Sequence, residues 1–246
     1  MLKVVDAGNA SEVGRQAAAI AAMAIVRASR ANSRVNVLLA AAPSQAPALA
    51  ALAALDVHER VTYFHMDEYL GLPEGAPQSF GSWLRREFLE RLPEGTDTRF
   101  VPIDTTLAPQ DAVDTYAAAL PRGDFDLVLC GIGVNGHLAF NDPGTDLDDE
   151  QPVRRVRLAE ASRRQQVNDG LFEALQDVPE YALTLTVPRI MAARTIVCSV
   201  LGAQKARAVR ETLRQRRTSR VPATVLNEHP DATIVADREA LRDVHD

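Results

Sequence analysis

Short apolar runs alternate with longer stretches of helical patterning along this chain, and that alternation limits its fold more than any other feature. A strand buried on both faces reads as a continuous apolar run, and parallel strands need a crossover, usually a helix, between them. The pattern predicts strands at 34–41, 61–66, 125–132, 181–187, 195–201 and 233–236, with a short, edge-like one at 154–158. Helices are expected at 11–30, 44–55, 79–91, 109–120, 159–166 and 205–215, Ser11 being a candidate cap of the first. The expected architecture is an α/β fold, a three-layer α/β/α arrangement around an open, mostly parallel, Rossmann-like sheet. No Gly/Ser/Pro-rich linker or charge run divides the 246 residues, so a single domain over 1–246 is expected.

The run Leu127-Val128-Leu129-Cys130 passes directly into Gly131-Ile132-Gly133-Val134-Asn135-Gly136-His137-Leu138-Ala139-Phe140-Asn141-Asp142-Pro143. Gly131, Gly133 and Gly136 let the chain turn through conformations closed to other residues and let a ligand approach the backbone. Histidine is the side chain most easily tuned to move protons near neutral pH. Asp142, in a folded-back loop, can hold the His137 ring and set its tautomer. Past the carboxyl end of a central strand, such a loop occupies the usual ligand crevice of an open α/β sheet. A G-x-G turn by itself serves any tight strand-to-helix connection, and the third glycine stands outside the dinucleotide fingerprint.

Three other segments carry chemistry. Asp67 and Glu68 follow the strand at 61–66. Asp67 is a candidate general base, which needs hydrogen-bond reach to a carbon-bound proton and a pKa raised by partial burial. Equally, either carboxylate can cap a helix or turn. Ala42, Ser44 and Gln45 lie where a strand meets a helix, and the exposed amides of such a turn can bind an anion, although capping is the simpler use of Ser44. Lys205 opens the helix at 205–215 and, with Lys3, is one of only two lysines in a chain that otherwise uses arginine. A cation at a helix start opposes the helix dipole, so a phosphate contact explains it better than helix stability does.

Composition narrows the partners. A net charge of −6 argues against a general nucleic-acid binder while leaving room for a local basic pocket. No stretch approaches a membrane span, and the polar start lacks a signal peptide's apolar segment, so a cytoplasmic location is expected. Cys130 and Cys198 sit in apolar runs and read as buried free thiols, and no structural zinc ligand set is present. Oligomeric state is not readable.

Together these residues resemble the glucosamine-6-phosphate deaminase/isomerase family, whose relatives include 6-phosphogluconolactonase. The resemblance runs nearly end to end. It rests on Met66-Asp67-Glu68-Tyr69-Leu70-Gly71-Leu72-Pro73 with the following Gln78-Ser79-Phe80, on the stretch from Gly131 to Pro143, and on Leu201-Gly202-Ala203-Gln204-Lys205. The Phe140-Asn141-Asp142 ending looks like the deaminase branch rather than the lactonase branch. The resemblance implies a phosphorylated amino-sugar substrate and no metal or organic cofactor. It implies that His137 shuttles a proton to the ring oxygen, that Asp142 orients it, and that Asp67 moves a proton between C2 and C1. Lys205 with the Ala42, Ser44 and Gln45 turn would hold the phosphate.

Departures mark a divergent branch. Asn135 stands in the relay where the family carries aspartate, Asp142 is one methylene shorter than the usual glutamate, and residues 40–45 replace a Thr-Gly-Gly-Thr turn. The family's lid arginine has no counterpart here: Asn168 falls near its place, and Arg163 and Arg164 are close by. Two other readings stay open: a sugar-phosphate lactonase using His137 as the base for water, and a sugar-phosphate sensor that has lost turnover.

Overall fold

The structure, a computed structural model, describes residues 2–244. Its elements, in chain order, are β1 (Lys3–Gly8), α1 (Ala10–Ser29), β2 (Val35–Leu39), α2 (Ala46–Ala53), β3 (Val61–His65), β4 (Asp67–Tyr69), α3 (Phe80–Glu87), β5 (Thr98–Val101) and α4 (Pro109–Ala119). They continue with β6 (Leu127–Cys130), β7 (Val153–Arg157), α5 (Glu160–Asn168), β8 (Tyr181–Leu185), α6 (Val187–Met191), β9 (Ile196–Val200), α7 (Ala206–Arg214), β10 (Ala232–Asp237) and α8 (Arg238–Leu241).

Seven of the strands form one parallel sheet in the order β1-β10-β9-β6-β2-β3-β5. Its central strands are buried at every position but Asn36, which is why they read as largely apolar runs. One apolar cluster packs α1, α2 and α3 on one face, and a second packs α4, α7 and α8 on the other. On the first face α1 and α2 come so close that a Cβ on Gly14 would lie 2.6 Å from the Pro47 carbonyl oxygen, so no larger residue fits there.

The order fixes where a ligand can sit. β2 and β6 are neighbours, yet β2 is followed by β3 on one side and β6 by β9 on the other. At such a reversal the connections diverge and leave a crevice outside the carboxyl ends of the strands. The segments that follow β2, β3, β6 and β9 all end there.

Three expectations are corrected. The strands predicted at 154–158 and 181–187 belong to a second, antiparallel sheet in the order β4-β8-β7. β8 is its middle strand and is therefore mostly apolar and, after Tyr181, buried, whereas β7, at its edge, alternates between half-buried and exposed residues after the buried Val153. The first helix is capped by Asn9 rather than Ser11: the Asn9 backbone is extended, and its side-chain oxygen accepts from the Glu12 N–H at 3.0 Å. β1, β4 and β5 come in addition to the predicted strands.

Candidate active site

The loop after β6 closes on itself. The Gly133 N–H donates to the His137 carbonyl at 3.0 Å and the Gly136 N–H to the Gly133 carbonyl at 2.9 Å. The His137 ring then rests on Gly133, where a Cβ would stand 2.2 Å from the ring's Nε2 and Cε1. Gly136 adopts φ +84° and backs onto Val221, so it shapes the turn from outside the cleft. Asn135 works from inside the loop: its Oδ1 accepts from the His137 N–H at 3.1 Å and its Nδ2 donates to Asp142 Oδ1 at 3.0 Å.

Asp142 stands behind the histidine. Its Oδ2 accepts from the Ala159 N–H at 3.0 Å, and its Oδ1 from Asn135 and from the Ser162 hydroxyl. Burial works to raise its pKa, but the adjacent His137 and the donors from Ser162 and Asn135 outweigh it and hold the carboxyl at about 2. His137 Nδ1 lies 3.4 Å from Asp142 Oδ1 and only 3.0 Å from Ser162 Oγ, so the hydroxyl is the ring's nearer partner.

Adjacent carboxylates at the end of β3 serve different ends. Glu68 is the cap: it accepts from the N–H groups of Tyr69, Phe80 and Gly81 at 2.9, 3.0 and 2.8 Å and from the Ser79 hydroxyl at 2.8 Å, which fastens the start of α3. Asp67 lines the cleft, is 6% exposed, and accepts no side-chain hydrogen bond among the described residues. Burial first, and then the neighbouring Glu68, push its pKa well above the ordinary carboxylate value. A buried carboxylate with no donor is a stronger base than one in water.

At the end of β9, Gly202 with φ +90° turns the chain into Lys205, which is 5% exposed in the cleft lining. No carboxylate pairs with its ammonium among the described residues. Burial lowers its pKa to about 8 against the opposing pull of Asp169 and Cys198. Ala42 and Ser44 face the same cleft. Gln45 instead lies beneath it, its amide donating to the Ser199 carbonyl at 3.1 Å and to Ser44 Oγ at 3.3 Å.

The structure therefore brings Asp67, His137, Ala42, Ser44 and Lys205 to one cleft and puts Asn135, Gly136, Asp142 and Gln45 in its support. It does not bring Arg163 or Arg164 there. The Arg163 guanidinium is taken by the Leu175 and Val178 carbonyls, and Arg164 pairs with Glu160 on the exposed face of α5. The opposite face of α5 supplies what sequence reasoning missed: Ser162, and Gln165 and Gln166 in the cleft lining. The Gln165 Oε1 accepts from the Val134 N–H at 3.1 Å, while the Gln166 side chain, 6% exposed, has no hydrogen-bond partner among the described residues. The spacing 162, 165, 166, 169 is one helix face of small or uncharged side chains and a lone acid on an otherwise charged segment, and that was the available signal.

Among the described residues no group of three or more His, Cys, Asp or Glu side chains is arranged to hold a metal ion, and no helix is long and apolar enough to cross a membrane. Cys130 and Cys198 are free, buried and paired in register on β6 and β9.

Residues 8–235 match the family described as glucosamine-6-phosphate isomerases/6-phosphogluconolactonase. A glucosamine-6-phosphate deaminase from Bacillus cereus (strain G9842) is 36% identical over 182 residues, 74% of this chain and 67% of that one, and the enzyme of the same name from Bacillus thuringiensis (strain Al Hakam) matches to the same extent. Among solved structures, a monomeric glucosamine-6-phosphate deaminase superposes with a TM-score of 0.88 at 27% identity, covering 98% of this chain and 99% of that one. The 6-phosphogluconolactonase from Trypanosoma brucei shares the fold, with a TM-score of 0.78 at 18% identity over 99% of both chains.

Proposed function

Because the chain belongs to the glucosamine-6-phosphate isomerase/6-phosphogluconolactonase family, we propose that it isomerises and deaminates an amino-sugar phosphate, converting glucosamine 6-phosphate and water to fructose 6-phosphate and ammonia. His137 takes the proton of the anomeric hydroxyl and passes it to the ring oxygen as the C1–O5 bond breaks and the pyranose opens, with Asp142 and Asn135 holding the imidazole and the loop. Asp67 takes the C2 proton of the open-chain aldose and returns it at C1. The resulting C2 iminium adds water and releases ammonia. The amino group and the aldehyde themselves acidify the C2 proton, so the step asks nothing of a metal or organic cofactor.

Lys205 supplies the charge for the phosphate, with Ser44 and the amides of the Ala42 turn beside it. An ammonium that is buried without a counter-ion is costly, and a bound phosphate dianion removes that cost. Gln166, unpartnered in the same lining, offers an amide to a sugar hydroxyl. A doubly charged substrate that does not cross a bilayer unaided is met in the cytoplasm, and residues 1–246 act as one domain around this cleft.

Asp67 carries the choice of reaction. It is a buried, donor-free carboxylate in the same cleft as His137 and Lys205. Neither lactone hydrolysis nor simple sensing requires a base beside C2. The test is a panel of amino-sugar phosphates and 6-phosphogluconolactone, read for ammonia, ketose and acid. Ammonia and ketose released together support the deaminase. Acid released from the lactone alone points to the lactonase, and tight binding without turnover to a sensor.

A further inference from the structure

We propose that Ser162 is a positioning residue for His137, its hydroxyl standing between the ring and Asp142 and fixing which ring nitrogen faces the cleft as the base. The geometry decides the direction of each bond. Ser162 Oγ is within hydrogen-bond reach of both His137 Nδ1, at 3.0 Å, and Asp142 Oδ1. An ionised carboxylate only accepts, so the hydroxyl proton goes to Asp142 and Ser162 Oγ is left as an acceptor. His137 Nδ1 must then carry a hydrogen. Nε2, which has no protein partner among the described residues, keeps its lone pair. A carboxyl held at about 2 against burial, by His137 and by the donors from Ser162 and Asn135, stays ionised through the neutral range, which keeps this order in place.

The carboxylate cannot take over the hydroxyl's place. The direct His137 Nδ1 to Asp142 Oδ1 separation is 3.4 Å, and Asp142 is tied through Oδ2 by the Ala159 N–H at 3.0 Å and through Oδ1 itself by Asn135 at 3.0 Å. Removing the hydroxyl therefore leaves Nδ1 without a close acceptor and the two tautomers nearly equal. Ser162 comes from α5 and the histidine from the β6 loop, so the contact also ties the wall that carries Gln165 and Gln166 to the loop that carries the base.

The catalytic part of this inference rests on the reading of His137 as the ring-opening base, whereas the tautomer does not. The test is nitrogen-15 NMR of the full-length chain, with the His137 signals assigned by their loss in His137→Gln. The expected result is a neutral His137 protonated on Nδ1 in the parent and in Ser162→Thr, and a tautomer mixture in Ser162→Ala. In parallel, Ser162→Ala should lower kcat on cyclic glucosamine 6-phosphate roughly ten- to a hundredfold with KM little changed, and Ser162→Thr should restore it. An Nε2-protonated His137 in the parent overturns the proposal even if the alanine variant fails to fold. So does Ser162→Ala with parent tautomer and parent kcat. If the tautomer follows Ser162 but no amino sugar is turned over, the placement of Ser162 stands and the deaminase reading falls.

Discussion

Asp142 and Asp67 are carboxylates within one site, the first half-buried behind its histidine and the second buried in its lining, and their surroundings are opposite. Asp142 receives donors from Asn135, Ala159 and Ser162, so its charge is satisfied before any substrate arrives. Asp67 receives none, and Lys205, in the same lining, is equally without an ion-pair partner among the described residues. The loop after β6 is thus an organised frame, while the ends of β3 and β9 are left uncompensated where a ligand would meet them. Burial acts on both carboxyls, and what stands beside each separates their pKa values: Glu68 next to Asp67, and His137 with the donors from Ser162 and Asn135 around Asp142. Uncompensated charge in a cleft is the pattern of a site that gains its missing partners from its substrate.

The largest effect that could break this comparison is on turnover. Asp67→Asn should lower kcat by roughly 10² or more, the scale of a lost general base, while sugar-phosphate binding persists. The same substitution should raise Tm at neutral pH. A carboxyl whose pKa is raised on folding contributes most below its unfolded value near 4 and loses that contribution as pH climbs through the folded value, so the Tm gain should vanish at acid pH. Thermal melts across pH decide it, and near-normal turnover removes Asp67 from the proton transfer.

Asp142→Asn should act in the opposite sense. A shift from 3.8 to about 2 on a carboxylate whose side chain is 14% exposed corresponds to roughly 2 kcal/mol of stability at neutral pH. That stability is present above pH 4 and is lost as pH falls towards 2. Urea melts of parent and variant at pH 7 and pH 3 check this. A variant as stable as the parent at pH 7 would mean that the frame is not organised by this charge.

Lys205→Met should raise KM for phosphorylated substrate about tenfold, the loss of one charge-assisted contact, and leave the unphosphorylated sugar unaffected. Inhibition of the parent by inorganic phosphate should weaken as pH rises through about 8, where the free enzyme's Lys205 gives up its proton. If phosphate inhibits equally at pH 7 and pH 9.5, the ammonium is not the ligand. Smallest of all, Arg164→Ala should change neither KM nor kcat measurably, because its guanidinium is held by Glu160 on the solvent side of α5. A raised KM there would mean that α5 rolls its charged face inward when substrate binds.

The parallel sheet was legible because its central strands are buried on both sides and announce themselves as apolar runs. β1 was not, since Lys3–Gly8 is an edge strand, largely exposed and mixed in polarity. The second sheet was hidden for a different reason: β4 is three residues long, follows β3 after Met66 alone and opens on Asp67 and Glu68, so it reads as the turn that ends a strand at 61–66. Asp67, His137 and Lys205 could be picked out because each follows an apolar strand at a turn. Which neighbouring carboxylate caps and which stays free was not legible, as Glu68 meets its donors from residues 79–81 only in the folded chain. Ser162 and Gln166 were masked by Arg163 and Arg164, whose charges make α5 look solvated on every side.

The position of β10 also sets a timetable. It lies between β1 and β9, with Lys3 in register with Thr233 and Ala232 with Ile196. As the chain leaves the ribosome, β1 has no sheet neighbour until nearly all the other elements have been made, and it must stay unpaired while β2, β3 and β6 assemble. Contacts this far apart in sequence slow folding, and an unpaired strand edge is open to other chains in the meantime. Lys3 and Asp6, which helped to conceal β1 from sequence reading, place charges on that edge of the kind that discourages pairing with other chains.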